Sequence, residues 1–287
     1  MAGMLYLVPT PIGNLEDISL RCRKIIEQAD FIAAEDTRVT LKLLNHLDIK
    51  KPLVSYYEHN RIKSGQIILE RILAGETCAL VSDAGSPAIS DPGEDLVRLC
   101  ADQGVIVSAI PGPCAVITAL SISGLPTSRF TFEGFLSTNK RSRQEHLQSL
   151  LKETRTMIFY EAPHKLPYTL QDLCKAFGSE RKISLCRELT KVHEEVIRTT
   201  LSGALEYYKN VSPRGEYVLV VEGATPLMKE PELSLEEALI HVQKLIDQGF
   251  SRKDAVRQVA VETKFPKNKL YDAAIGKSES LDDQSGS

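Results

Sequence analysis

The 287-residue chain lacks most of the signatures that would assign it quickly. Its longest apolar runs, such as Tyr217-Val218-Leu219-Val220-Val221, are strand-sized, whereas a helical membrane span needs about 20 apolar residues. No basic segment followed by an apolar stretch opens the chain, because Pro9 and Pro11 interrupt the first apolar run. The expectation is a protein without a secretory leader, working in the cytoplasm. The six cysteines, Cys22, Cys78, Cys100, Cys114, Cys174 and Cys186, include no C-x-x-C pair, and most sit within apolar stretches. That is the pattern of small core residues in a reducing compartment. The six histidines add no close-set ligand pairs, so no structural metal is expected.

The 17 glycines contain neither G-x-G-x-x-G nor G-x-x-x-x-G-K-[ST], which removes positive support for a dinucleotide dehydrogenase or a P-loop NTPase. G-x-S-x-G and H-E-x-x-H are also missing, and with them the serine hydrolase and zinc protease readings. Aromatic residues make up only 6% of the chain, and without a recognition-module signature no base-stacking platform is legible. Net charge is −3, so any affinity for nucleic acid must come from a local concentration of basic residues.

What is present is an α/β pattern. A composition of 43% hydrophobic and 25% charged residues is that of a globular protein, large enough for two medium domains and an appendage. Up to Gly124, short apolar runs alternate with amphipathic ones. Strands are predicted at Met4–Val8, Phe31–Ala34, Cys78–Val81 and Val105–Ile110, with helices over Asp17–Ala29, Thr37–Leu47, Asn60–Ala74 and Cys114–Ser123. A further helix starts near Asp91-Pro92-Gly93-Glu94, read as cap, first-turn proline and acid. Such alternation implies a mainly parallel sheet covered on both faces, in a first domain over 1–124.

A second α/β domain with a mixed sheet is expected over 125–230. Its strands are Phe130–Phe135, Thr156–Glu161, Ile183–Glu188, Glu195–Leu201 and Glu216–Glu222, with helices at Ser142–Glu153 and Lys165–Phe177. From Ser234 the pattern is helical, opened by Ser234-Leu235-Glu236-Glu237 and Ser251-Arg252-Lys253-Asp254 in capping-box form. A third helix follows Pro266 and ends near Gly276. Between His241 and Lys277 eight Lys or Arg stand against four Asp or Glu, so 231–277 reads as a small basic helical domain. The polar tail 278–287 reads as disordered.

Three turns stand directly after predicted parallel strands: Pro9-Thr10-Pro11-Ile12-Gly13-Asn14, Ser82-Asp83-Ala84-Gly85-Ser86-Pro87 and Pro111-Gly112-Pro113-Cys114-Ala115. Ligands of open α/β sheets bind beyond the carboxyl ends of strands, so three such turns can line one crevice. Singly, each would be loop punctuation. Rigid Pro/Gly turns expose backbone N–H and C=O groups that suit an adenosine-like ligand.

These turns, together with Ala33-Ala34-Glu35-Asp36-Thr37-Arg38, Phe159-Tyr160-Glu161 and Arg187-Glu188-Leu189-Thr190-Lys191, carry a resemblance. Over Leu5 to Ala274 the chain resembles the ribosomal RNA 2′-O-ribose cytidine methyltransferase branch of the tetrapyrrole methylase superfamily. The wider superfamily has a glycine-rich first turn and Gly-Asp-Pro in the second; Pro-Thr-Pro-Ile-Gly and Ser-Asp-Ala-Gly here point to the ribosomal RNA branch.

The resemblance implies a homodimer using S-adenosyl-L-methionine in the cleft between two domains. The substrate would be the 2′-hydroxyl of a cytidine in the decoding region of 16S ribosomal RNA, in the small ribosomal subunit. Carried over by position, the cofactor residues would be Pro11, Ile12, Ser82, Asp83, Ala84, Ser86, Cys114, Ala115, Tyr160, Glu161 and Leu189. A ribose hydroxyl is a poor nucleophile at neutral pH, which calls for a general base; Asp36, Asp83 and Glu161 are the candidates. Glu35 and Asp36 serve equally well as acids at a helix N-terminus. Candidate RNA contacts are Arg38, which can equally pair with Glu35, the cluster Lys140, Arg141 and Arg143, and Lys264, Lys267 and Lys269. Each cluster also fits a solvated helix face. His164 is read as a loop residue. Two other functions remain open on these residues: a porphyrin or corrin methyltransferase, and a non-catalytic ribosomal RNA-binding assembly factor.

Overall fold

The computed structural model describes residues 3–225, 234–263 and 265–282, in two units that divide between Ala224 and Thr225. Both α/β lobes expected from the sequence fall in the first unit.

The first lobe carries β1 (Met4–Leu7), α1 (Leu20–Gln28), β2 (Phe31–Ala34), α2 (Thr37–Leu47), β3 (Leu53–Ser55), α3 (Arg61–Leu73), β4 (Cys78–Val81), α4 (Glu94–Asp102), β5 (Ile106–Ala109) and α5 (Ala115–Ile122). The strands form one sheet in the order β3-β2-β4-β1-β5, and every pairing in it is parallel. β2 and β4 are buried along their whole length, because helices cover both faces. On one face α1 and α2 supply Cys22, Ile26, Leu43 and Leu44. On the other, α3 and α4 supply Ile68, Ile72, Leu96 and Cys100. Three of the cysteines are thereby core residues, as their apolar neighbourhoods suggested.

The second lobe carries β6 (Phe130–Phe135), α6 (Lys140–Ser149), β7 (Thr156–Glu161), α7 (Leu166–Phe177), β8 (Lys182–Arg187), β9 (Glu195–Thr200), α8 (Leu201–Asn210) and β10 (Tyr217–Val221). Its sheet runs β6-β7-β10-β8-β9; β6 is parallel to β7, and the remaining pairs are antiparallel. Alternation sorts the side chains. Met157, Phe159, Leu185 and Leu219 pack under α6, α7 and α8. Ile158, Cys186, Val218 and Val220 meet Val116, Ala119 and Leu120 of α5. Thus α5 belongs by sequence to the first lobe and packs its apolar face on the second lobe's sheet.

The second unit is helical: α9 (Leu235–Asp247), α10 (Arg252–Thr263) and α11 (Lys267–Asp282). Ala238, Val242, Val256, Val259 and Leu270 form its core. Ser234 and Glu237 complete a reciprocal capping box at α9, and Ser251 accepts from the Asp254 amide at 3.2 Å.

Several boundaries differ from the sequence reading, each for a local reason. β3, only three residues long, has too short a run for alternation to show. α8 begins where the sequence pattern extends the strand, because the Thr200 hydroxyl accepts from the Gly203 amide and starts a helix. α6 begins at Lys140, since the Asn139 side chain accepts from the amides of Arg141 and Ser142. α4 starts at Glu94 after Gly93 at φ +152°, so Asp91 is released from the capping role. α11 continues past Gly276 to Asp282; one helical glycine costs only about 1 kcal/mol relative to alanine. Residues 283–287 of the expected tail, and Lys264, lie outside the described residues.

Candidate active site

The carboxyl ends of β2, β4, β1 and β5 are adjacent in the sheet, so the turns that follow them are neighbours in space. Turn and turn are bonded directly. Thr10 and Gly85 exchange two backbone hydrogen bonds of 2.9 Å, and the Thr10 hydroxyl donates to the Ser82 carbonyl at 3.0 Å. Ser86 Oγ donates to the Pro113 carbonyl at 3.2 Å, and the Asp36 amide donates to Asp83 Oδ1 at 3.0 Å. A side chain at Gly112 would place its Cβ 2.8 Å from Pro9 Cβ, so the first and third turns pass each other at backbone distance.

The second lobe contributes from the matching end of its sheet. A Cβ on Gly13 would lie 2.5 Å from Lys191 Cγ and 3.0 Å from the Leu189 carbonyl, so the first turn is clasped by the segment after β8. Glu188 and Thr190 in that segment have φ of +53° and +67°, a left-handed conformation costly for residues with a Cβ. The segment is braced by Lys191 Nζ, 2.9 Å from both Glu188 Oε1 and Glu216 Oε2. Ala88 and Ser90, at φ +65° and +63°, bend the loop after β4 in the same way.

Between these walls is a cavity of about 580 Å³, within the size range of small-molecule sites. Of the residues expected to hold a cofactor, Ile12, Asp83, Ala84, Ser86, Cys114, Ala115, Tyr160, Glu161 and Leu189 line it. Pro11 and Ser82 do not line it; the one Ser82 hydroxyl proton is shared between the Gly85 carbonyl, 3.2 Å away, and Asp91. Unforeseen lining comes from Glu35, Gly85, Ile89, Ser90, Asp91, Phe135, Ala162, Pro163, Cys186, Glu216 and the start of β10 at Tyr217 and Val218. The carboxyl-end rule finds ligand sites on parallel strands; β10 is antiparallel to β7, so its amino end faces the cleft and the rule passes over it.

The cavity is acidic. Glu35, Asp83, Asp91, Glu161 and Glu216 line it, and among the described residues no Lys or Arg does. Burial, followed by repulsion from Asp91 and Asp83, pushes Glu35 up to about 7. Burial, against a hydrogen bond from Ser82, pushes Asp91 up to about 6. Burial also raises Asp83 above the ordinary carboxylate range. Desolvation and mutual repulsion disfavour charge, and an arriving cation would relieve both. Burial likewise raises the Tyr160 hydroxyl, which takes a hydrogen bond from the Val116 amide. Among the described residues no group of three or more His, Cys, Asp or Glu is arranged to hold a metal ion.

Several residues expected to act on substrate have other partners in this geometry. Asp36 does not line the cavity. It caps α2, and the Arg38 guanidinium, 2.6 Å away, holds it down at about 2. Arg38 in turn pairs with Asp36 and not with Glu35. Glu161 reaches the cavity but is 4% exposed; its oxygens accept from the Ala162 amide at 2.8 Å and from the Thr169 hydroxyl, which occupies it structurally. Arg143 is also a scaffold residue: its side chain is 13% exposed, bonded to Asp172 at 2.6 Å and to Thr169 at 2.8 Å. Lys140 and Arg141 are exposed on α6, and Lys267 and Lys269 on α11. His164 is an exposed loop residue.

Two interlocked α/β lobes around a cleft define a class, and residues 4–204 match the family model of the tetrapyrrole (corrin/porphyrin) methylases. The solved uroporphyrin-III C-methyltransferase of Thermus thermophilus, complexed with S-adenyl homocysteine, shares the fold at TM-score 0.54 and 17% identity, over 77% of this chain and 97% of that one. Closer in sequence is the ribosomal RNA small subunit methyltransferase I of Synechocystis sp., 50% identical over 95% of this chain and 98% of the relative. The protein of that name from Halalkalibacterium halodurans is 47% identical over 94% of this chain and 93% of its own. The chain belongs to the tetrapyrrole methylase family and, within it, to the ribosomal RNA small subunit methyltransferase I group.

Proposed function

We propose that this protein transfers a methyl group from S-adenosyl-L-methionine to the 2′-hydroxyl of a cytidine in the decoding region of small-subunit ribosomal RNA. The observation that carries the reading is the 50% identity, across nearly the whole chain, to a protein named for methylation of that RNA. The cavity supports it independently. Its size fits a nucleoside-sized ligand, and a lining that includes Glu35, Asp83, Asp91, Glu161 and Glu216 but, among the described residues, no Lys or Arg suits a cation and not a phosphate.

When bound, S-adenosyl-L-methionine supplies an electrophilic methyl group, so holding the acceptor in line contributes much of the acceleration. Ile12, Ala84, Cys114, Ala115 and Leu189 provide apolar walls for the cofactor, and the backbone of the interlocked turns provides its donors and acceptors. Tyr160 and Glu161 close the second-lobe side, with Glu161 held by Thr169. A carboxylate in the cavity would take up the proton that the 2′-hydroxyl loses on methylation, S-adenosylhomocysteine being the other product. Glu35 is best suited: it lines the cavity, and a base titrating near 7 is matched to neutral pH. Asp83 orients the turn after β2 through the Asp36 amide. Lys140, Arg141, Lys267 and Lys269 supply phosphate contacts, which add affinity without sequence information. In this reading the protein acts as a cytoplasmic homodimer, the oligomeric state being open to sedimentation.

The deciding experiment is labelled methyl incorporation into isolated small subunits lacking the modification, followed by mapping of the labelled nucleoside. A 2′-O-methylcytidine in the decoding region is expected. Label on a porphyrinogen with none on RNA would overturn the reading. Donor binding followed by calorimetry should be tighter at about pH 8 than at about pH 5, where Glu35 and Asp91 are protonated. Asp83→Ala should weaken that binding.

A further inference from the structure

β6 pairs in parallel with β7, and its register breaks once. Phe132 lies opposite Ile158, Gly134 opposite Phe159 and Phe135 opposite Tyr160, which leaves Glu133 as an extra residue. Bulges are uncommon in parallel pairs and recur beside active sites, where they re-aim a side chain. Here the re-aimed residue is Phe135. In a regular strand positions three apart point to opposite faces. The bulge puts Phe132 and Phe135 on one face instead, and both meet Tyr160, with ring centroids 5.0 and 5.5 Å away.

Two features pin the irregularity. Gly134 takes up the left-handed conformation at φ +63°. The Glu133 carboxylate turns to the other face, where His146 Nε2 lies 2.8 Å from Oε2. Without the extra residue, Phe135 would turn away toward α6 and its apolar core. With it, the ring lines the cavity and remains 58% exposed. Ile89, 46% exposed, lines the same cavity from the loop that abuts Gly134; a Cβ on Gly134 would lie 3.6 Å from Ser90 Oγ.

An aromatic ring left more than half open to water at the rim of a cavity does not fill a core, where its burial would have been favourable. Tyr160 supports it in a tilted contact, 59° between ring planes, and more than half of the side chain stays open. Enzymes acting on a single nucleotide draw it out of its stack and hold the base against aromatic and apolar side chains. We infer that Phe135 is the stacking platform for the base of the acceptor nucleotide, with Ile89 as a second apolar lip, and that the β6 bulge exists to present it. The inference deepens the proposed function and rests on it. It also supplies a stacking surface that the low aromatic content conceals: one ring correctly aimed suffices where composition shows no platform.

The test uses the full-length protein with isolated, unmodified small subunits, measuring labelled methyl transfer from S-adenosyl-L-methionine. Phe135→Ala should lower kcat/KM for the subunit about 5- to 150-fold, the range of one lost base–aromatic stack. Phe135→Tyr should restore it and Phe135→Leu should not, because the ring and not the apolar volume is what stacks. Affinity for the methyl donor, by calorimetry, and the sedimentation coefficient should match the parent. Three results would overturn the inference: parental kcat/KM in Phe135→Ala, a donor affinity that falls with the ring, or a change of oligomeric state. A parent protein that binds the donor yet labels no RNA would remove the proposed function beneath it; labelled RNA at parental rate with Phe135→Ala would remove the inference alone.

Discussion

Glu35 and Asp36 are consecutive carboxylates with opposite fates. Asp36 is gripped by Arg38 and held at about 2; Glu35 enters a cavity without a cation and is raised to about 7. A raised carboxylate contributes to folding stability below its unfolded pKa, and that contribution is lost as pH rises through the folded value. The ligand-free protein should therefore lose stability from Glu35 between about pH 5 and 7. Glu35→Gln is expected to raise the melting temperature at about pH 8 relative to the parent, with little difference at about pH 5, as differential scanning fluorimetry would show. The same substitution should slow methyl transfer about 10²- to 10⁴-fold and remove the rise of kcat with pH. Asp36→Asn should leave that pH profile in place, since its carboxylate is already ionised throughout the range. A group that weakens the empty protein and is needed by the loaded one is a common signature of an active site.

At the scale of elements, the strand order explains what the residues could and could not reveal. The turns after β1, β4 and β5 were legible because their Pro and Gly punctuation follows apolar runs, and the sheet order brings them together. Asp91 is deceptive because Asp-Pro-Gly-Glu has the form of a helix start, whereas left-handed Ala88 and Ser90 displace the true start to Glu94. Phe135 is hidden because a bulge changes the parity of a strand without leaving any alternation signal. Glu216, Tyr217 and Val218 escape notice because their strand runs against the rule that locates sites on parallel sheets. The clasp between Gly13 and the Leu189–Lys191 segment is equally silent in the sequence, being a matter of approach distance. Gly13→Ala would force the Leu189 carbonyl and the Lys191 stem apart, at a cost of about 1–3 kcal/mol for overpacking. The expected outcome is a lower urea midpoint and weaker donor binding, both measurable on the purified variant.

For the molecule as a whole, charge is distributed against its average. The chain is net −3, and its cavity wall is acidic, yet Lys267 and Lys269 are exposed on a unit whose described elements are all helices. Binding to small subunits should accordingly depend on salt through a few lysines. Substituting Lys267→Ala and Lys269→Ala together should reduce the slope of log affinity against log salt by about 1 for each phosphate left without its lysine. Donor affinity should be unaffected, as read by calorimetry on the same preparation. The cross-bonded turns at Thr10, Gly85, Ser86 and Pro113 bear on how such a protein can diverge. No one of them can be exchanged for a relative's version while the others keep their shape, because each supplies hydrogen-bond partners to the next. New specificity on this lobe has to arrive by transplanting the set, or else through the freer second-lobe rim, where one bulged residue suffices to aim a ring.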